Sequence, residues 1–124
     1  MNHLELGEFG EVLAVRYLKN LGWRIIDRNV RVAPGEIDIA AMEGGELVIV
    51  EVRTRRIGRM APSETTVGPR KINVLLKSAR KYVGSIAFGG NWRIDVVAVT
   101  IGGDGTPRIE LFRDAAAGME GGVV

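Results

Sequence analysis

Asp38 and Glu51 are the residues whose type and spacing could do chemistry. They lie in two apolar, β-branched runs, Gly35–Met42 and Leu47–Arg56, on either side of Gly44-Gly45, a pattern that reads as a β-hairpin. With Gly44-Gly45 as the turn, Glu43 faces Glu46, Met42 faces Leu47, Asp38 faces Glu51 and Glu36 faces Arg53. Side chains alternate with period 2, so Glu36, Asp38, Glu51 and Arg53 are expected on one face. Directly opposed Cβ atoms stand about 4.5–5.5 Å apart, and like charges there are destabilising. A hard divalent cation such as Mg²⁺ between the carboxylates would relieve that repulsion. The hairpin equally allows a surface salt-bridge patch, with Glu36 and Asp38 both reaching Arg53.

Other chemistries lack their residues. The chain has no cysteine, and its one histidine, His3, falls in a terminus expected to be mobile, which argues against thiolate zinc sites, cysteine nucleophiles and histidine acid–base catalysis. No phosphate-binding glycine loop and no Gly-x-Ser-x-Gly elbow is present. What remains is carboxylate-plus-cation chemistry beside a basic surface, which suits metal-assisted phosphodiester hydrolysis. The net charge of the 124-residue chain is only +2, yet positions 53–93 hold ten Lys/Arg against a single acid, Glu64. That block fits a polyanion-facing surface. Its alternative is a solvated helix face together with a flexible loop.

The elements that must position these groups follow from hydrophobic periodicity. Leu6–Leu21 reads as an amphipathic helix with Leu13, Ala14, Tyr17, Leu18 and Leu21 on its apolar face, Gly22 as cap and Glu11 at the border of that face. Trp23–Asn29 alternates as a strand, Asn29–Pro34 as a polar connection and Pro34-Gly35 as a turn before the hairpin. Thr54–Gly68 is expected to be a long irregular segment; its Arg55, Arg56 and Arg59 either hold a phosphate backbone or are simply disordered. Pro69 starts a second helix to about Val83, with Ile72, Leu75, Leu76, Ala79 and Val83 inward, Lys71 on its flank, and Lys77, Arg80 and Lys81 outside. Gly84 is expected to end it. Asn91–Ile101 and Pro107–Phe112 read as the last strands. The expected fold class is α/β: a single domain over residues 1–114, α-β-β-β-α-β-β, with a mixed central sheet flanked by helices, and a disordered tail over 115–124. No apolar run reaches the roughly 18 residues of a membrane span, and no signal peptide is visible, so the expected location is cytoplasmic.

The Asp38…Glu51-x-Arg53 pattern resembles the metal-site signature of the PD-(D/E)-x-K nuclease superfamily, the restriction-endonuclease-like fold. The wider run is similar to the YraN-type family of bacterial endonuclease-like proteins, relatives by fold of Holliday-junction resolvases. It comprises Gly10-Glu11 with Ala14 and Tyr17-Leu18, Asn29-x-Arg31, Gly35-Glu36-Ile37-Asp38, Val50-Glu51-Val52-Arg53-x-Arg55, Lys71 and Arg93-Ile94-Asp95-Val96-Val97. The resemblance implies a Mg²⁺- or Mn²⁺-dependent endonuclease in which Asp38, Glu51 and Glu11 match metal-binding carboxylates. Arg53 stands at the signature lysine. Arginine stabilises negative charge but is effectively never deprotonated, so it cannot serve as a base. Lys71 is the candidate to supply an amine from the second helix, against a plain surface lysine. Glu36 is either a metal ligand or a partner for Arg53, and Asp95 a strand salt-bridge residue.

The expected partner is DNA, including branched DNA, bound by shape or without sequence preference through Arg55, Arg56, Arg59, Arg70, Lys77, Arg80 and Lys81. Tyr82 is the one aromatic in the helical part of the block, so base stacking is expected to be minor and phosphate contacts to dominate. A homodimer is expected by analogy with resolvases alone. The rival readings are a nucleic-acid-binding module with a degenerate nuclease site, and a partner-binding protein.

Overall fold

The computed structural model describes residues 1–57 and 67–117 and resolves their apolar periodicities into seven elements. These are α1 (His3–Asn20), β1 (Arg24–Val32), β2 (Gly35–Glu43), β3 (Glu46–Arg56), α2 (Pro69–Ser85), β4 (Trp92–Ile101) and β5 (Pro107–Phe112). The sheet runs β1-β2-β3-β4-β5. Only β3–β4 is parallel; the other three pairings are antiparallel. A parallel neighbour needs a crossover, and the one long connection, carrying α2, supplies it.

The helices cover opposite faces. Ala14, Val15 and Leu18 of α1 pack with Ile39, Val48, Val50, Val97 and Val99. Ile72, Leu75, Leu76 and Ala79 of α2 pack with Ile37, Ala40, Leu47, Ile49 and Ile94. Strands buried on both sides need apolar residues at consecutive positions, which explains the unbroken Leu47-Val48-Ile49-Val50 run. The result is the single α/β domain expected, with its mixed sheet between helices. Among the described residues no helix is long and apolar enough to cross a membrane.

Several boundaries differ from the sequence reading, each for a local reason. Asn2 and Glu5 form a reciprocal capping box, so His3 opens α1 and does not lie in a loose terminus. Leu21, expected on the apolar face, is the C-cap and 49% exposed. Val15 is buried in its stead, and Gly22, just past the cap, takes φ +92°. β1 continues through Asn29–Val32 because Val30 and Val32 pack on the α2 side. Ser78, buried on α2, holds the turn that follows: its hydroxyl donates to Val32 O and accepts from Gly35 N. Arg55 and Arg56 are strand residues, paired with Thr100 and Ile101 of β4, not members of a loop. α2 runs through Gly84 to Ser85. Tyr82 is buried, its hydroxyl donating to Asp27, so it is no stacking platform. Beyond Asp114, Ala115 N–H donates to Ile94 O and Ala116 is buried. Arg59 and positions 118–124 lie outside the described residues.

Candidate functional site

The β2–β3 hairpin has the register its sequence predicts. Gly44 takes the turn with φ +59°, and the pairs run Glu43↔Glu46, Met42↔Leu47, Ala41↔Val48, Ala40↔Ile49 and Ile39↔Val50. There the ladder stops. One step on, the Asp38 side chain accepts the Val52 N–H at 2.8 Å, taking the place of a backbone carbonyl. Across β1 the facing residue, Asn29, adopts a left-handed φ of +52°. Ile37 packs on the α2 side and Ile39 on the α1 side. Strict alternation therefore breaks at Asp38, and its carboxylate points into the gap between splaying strands.

Glu51 meets it from β3. Glu51 is 5% exposed, and its carboxyl lies close enough to that of Asp38 for each to shift the other's ionisation. Burial, then the Asp38 charge, pushes the Glu51 carboxyl up to about 7, with Lys71 and Arg53 opposing. Burial raises Asp38 as well, resisted first by the Val52 N–H. Two carboxyls this close cannot both ionise cheaply, so the pair retains a proton toward neutral pH. Lys71, in the first turn of α2, places Nζ 3.7 Å from Glu51 Oε2.

The expected four-residue face is divided. Arg53 lies two residues beyond Glu51 and acts on it electrostatically. Glu36 opens instead onto a groove beneath α1, with Glu8, Glu11, Arg28 and Asn29. Among the described residues no Glu36–Arg53 ion pair forms. The break at Asp38 is the cause, since it turns Glu36 toward α1 while Glu51 and Arg53 face α2. Glu11 pairs with Arg28 at 3.8 Å, and its carboxyl is raised by burial and then by Asp38. It is close enough to feel the pair without joining it: among the described residues no three His, Asp or Glu side chains form a metal-binding group. Sequence reasoning missed Arg28 and Asn29. The available signal was Asn29 itself, a residue type that tolerates φ > 0.

The basic residues separate into two kinds. Arg70, Lys71, Lys77, Arg80 and Lys81 are exposed on α2. Arg70, Lys77 and Lys81 follow one outward line of the helix, about 16 Å from first to last at 1.5 Å per residue. Arg53 and Arg55 share the half-buried end of β3 with Glu51, while Arg56 donates to Met1 O. Arg93, counted in the basic block, is neutralised internally. Its guanidinium bonds Glu43 and Glu46 at 2.6 Å and Asp95 at 2.9 Å, and stands 5.6 Å from the Trp23 ring centroid.

Two converging carboxylates offer hard oxygen donors at one point. That set fits Mg²⁺, which keeps several waters and completes its shell with phosphate oxygens, better than a cation needing an all-protein cage. The donors and their position are supplied by the chain; a third protein ligand is not part of the arrangement.

The model of an uncharacterised protein family, UPF0102, matches residues 10–99, a span that includes Glu11, Asp38, Glu51, Arg53 and Lys71. A UPF0102 protein of Dehalococcoides mccartyi is 45% identical over 116 residues, 92% of this chain and 94% of that one. One of Anaeromyxobacter dehalogenans is 44% identical over 116 residues, 91% of this chain and 84% of that protein. One of Rhodococcus opacus is 43% identical over 115 residues, 92% and 98% respectively.

Proposed function

The chain belongs to the UPF0102 (YraN) family, and from that premise we propose that it is a metal-dependent endonuclease of the PD-(D/E)-x-K type, acting on DNA in the cytoplasm. The observation that carries this reading is the convergence of Asp38 and Glu51 where β2 and β3 splay, with a lysine amine 3.7 Å from one of them. Destabilising an interior with two carboxyls has a physical rationale if a divalent cation displaces their shared proton.

Asp38 and Glu51 would hold the cation, Mg²⁺ or Mn²⁺, which would supply electrophilic assistance to phosphodiester hydrolysis. The Val52 N–H fixes the Asp38 carboxylate in place. Lys71 and Arg53 stand on the Glu51 side and would stabilise negative charge developing on the phosphate. The exposed line Arg70–Lys77–Lys81 would track the backbone, giving binding governed by phosphate contacts and by salt. Glu11, held by Arg28, would shape the field at the pair.

Cleavage of plasmid and branched DNA with Mg²⁺ or Mn²⁺ tests the reading: the native protein should cut and Asp38→Ala should not. Calorimetric titration with Mn²⁺ should show binding that Glu51→Gln abolishes. A second reading, a nucleic-acid-binding module without turnover, is favoured by Arg53 at the signature lysine. Salt-sensitive DNA binding with no metal-dependent cleavage, equal in native protein and Asp38→Ala, would establish it.

A further inference from the structure

The groove between the first half of α1 and the β1–β2 hairpin encloses about 510 Å³, within the range of small-ligand sites. Leu4, Gly7, Glu8 and Val12 line it from α1, and Asn29 and Glu36 from the hairpin. Its inner end is Glu11, whose carboxyl feels Asp38.

Gly7 lies inside a helix, where glycine is a poorer former than alanine. A Cβ there would meet no atom within 4 Å, so no packing contact within the described chain requires glycine. Gly10, three residues on, is the opposite case: its Cβ would fall 1.8 Å from Thr54 Oγ1, and helix-to-strand contact accounts for it. Gly7 leaves its stretch of the groove wall without a side chain.

The surroundings of that space select an occupant. Leu4 is 72% and Val12 41% exposed, leaving apolar surface in water on the groove wall. Glu8, Glu11 and Glu36 set three carboxylates among them, against Arg28, which is paired with Glu11, and His3. A phosphate would be repelled here. A flat, largely apolar group with N–H donors at its edge would be retained: apolar walls take its face and carboxylates accept from its edge.

We propose that this groove receives an unpaired nucleobase bearing amino or imino N–H donors, drawn from the strand whose phosphate lies at Asp38 and Glu51. The inference rests on the endonuclease reading and names its substrate class. That class is nucleic acid with an unstacked base beside the reacting phosphate, as at a bulge, flap or branch, in preference to continuous duplex.

The test uses an oligonucleotide duplex with 2-aminopurine in a one-base bulge, and the same bulge without the probe, with Ca²⁺ in place of Mg²⁺ so that a hard cation screens the carboxylates without cleavage. Probe fluorescence reports unstacking, and anisotropy of an end label reports binding in the same samples. Fluorescence should rise on binding the native protein and Gly7→Ala, and rise several-fold less with Gly7→Trp, whose indole occupies the groove. Leu4→Gln alters a side chain outside the core, so it keeps the test sharp if Gly7→Trp disturbs α1; it too should diminish the rise. Equal fluorescence from native protein, Gly7→Trp and Leu4→Gln, with binding intact, overturns the base site and leaves the endonuclease reading standing. Absence of salt-sensitive binding by the native protein overturns both.

Discussion

Glu51 is held in its uncharged form by the protein's own interior, and that has a consequence for stability. Its carboxyl is pushed from an ordinary 4.5 up to about 7, first by burial and then by Asp38. With the folded value above the unfolded one, the unfolded chain ionises first as pH rises. Stability is therefore greatest below about pH 4.5 as far as this group is concerned, and is lost progressively toward pH 7. Glu51→Gln keeps the shape and removes the titration. It should be more stable than the native protein by roughly 1–3 kcal/mol at pH 7–8 and show little gain near pH 4, as read by urea denaturation. A Glu51→Gln protein less stable at pH 8 would mean that attraction to Lys71 and Arg53 outweighs burial. The 38–51 encounter was legible in the sequence because a two-residue turn fixes a register. Arg28 beside Glu11 was not, because that contact depends on where α1 rests over the hairpin.

At the scale of elements, two small residues set how the helices sit. Gly10 lets α1 lie directly on β3 at Thr54. Gly10→Ala should cost about 1–3 kcal/mol and lower the thermal midpoint, since the added methyl must push a helix from a strand. Its effect should be strongly non-additive with Thr54→Gly, which removes the opposing side chain. Ser78, wholly buried on α2, satisfies both Val32 O and Gly35 N through one hydroxyl. Ser78→Ala strands those two groups and should cost about 1–3 kcal/mol in chemical denaturation. Neither role could be read from periodicity. A serine on an apolar helix face looks like an interruption until the turn it holds is in view, and the sequence reading passed over it. Whether Arg55 and Arg56 end the Leu47–Arg56 run or open the irregular segment was undecided for a related reason. Arg55 and Arg56 lack strand propensity, and their pairing is supplied by β4, about forty-five positions away.

For the whole molecule, the basic block is smaller in effect than its composition suggests. Arg93 is tied to three carboxylates, while Arg70, Lys77 and Lys81 remain exposed along α2. If DNA lies along that line, replacing Lys77 and Lys81 with alanine should weaken binding uniformly across sequences. The slope of log K against log salt should fall by about one for each phosphate contact removed. An unchanged slope would place the backbone elsewhere. Charge density was visible in the sequence, but which charges face water depends on partners brought together by β2, β4 and the segment after β5.

What the sequence determined by itself was the local order. Period-2 and period-3.6 patterns marked the elements, and the glycine pair set the β2–β3 register as far as Ile39↔Val50, one step short of Asp38 and Glu51. These are short-range consequences of backbone geometry. The tertiary structure alone decided that alternation breaks at Asp38, that Glu36 faces α1 while Arg53 faces α2, that Lys71 comes within 3.7 Å of Glu51, and that a groove opens beside Gly7. Each depends on how a helix packs across a sheet. The energy of that packing is summed over many distant side chains, and no local pattern encodes it.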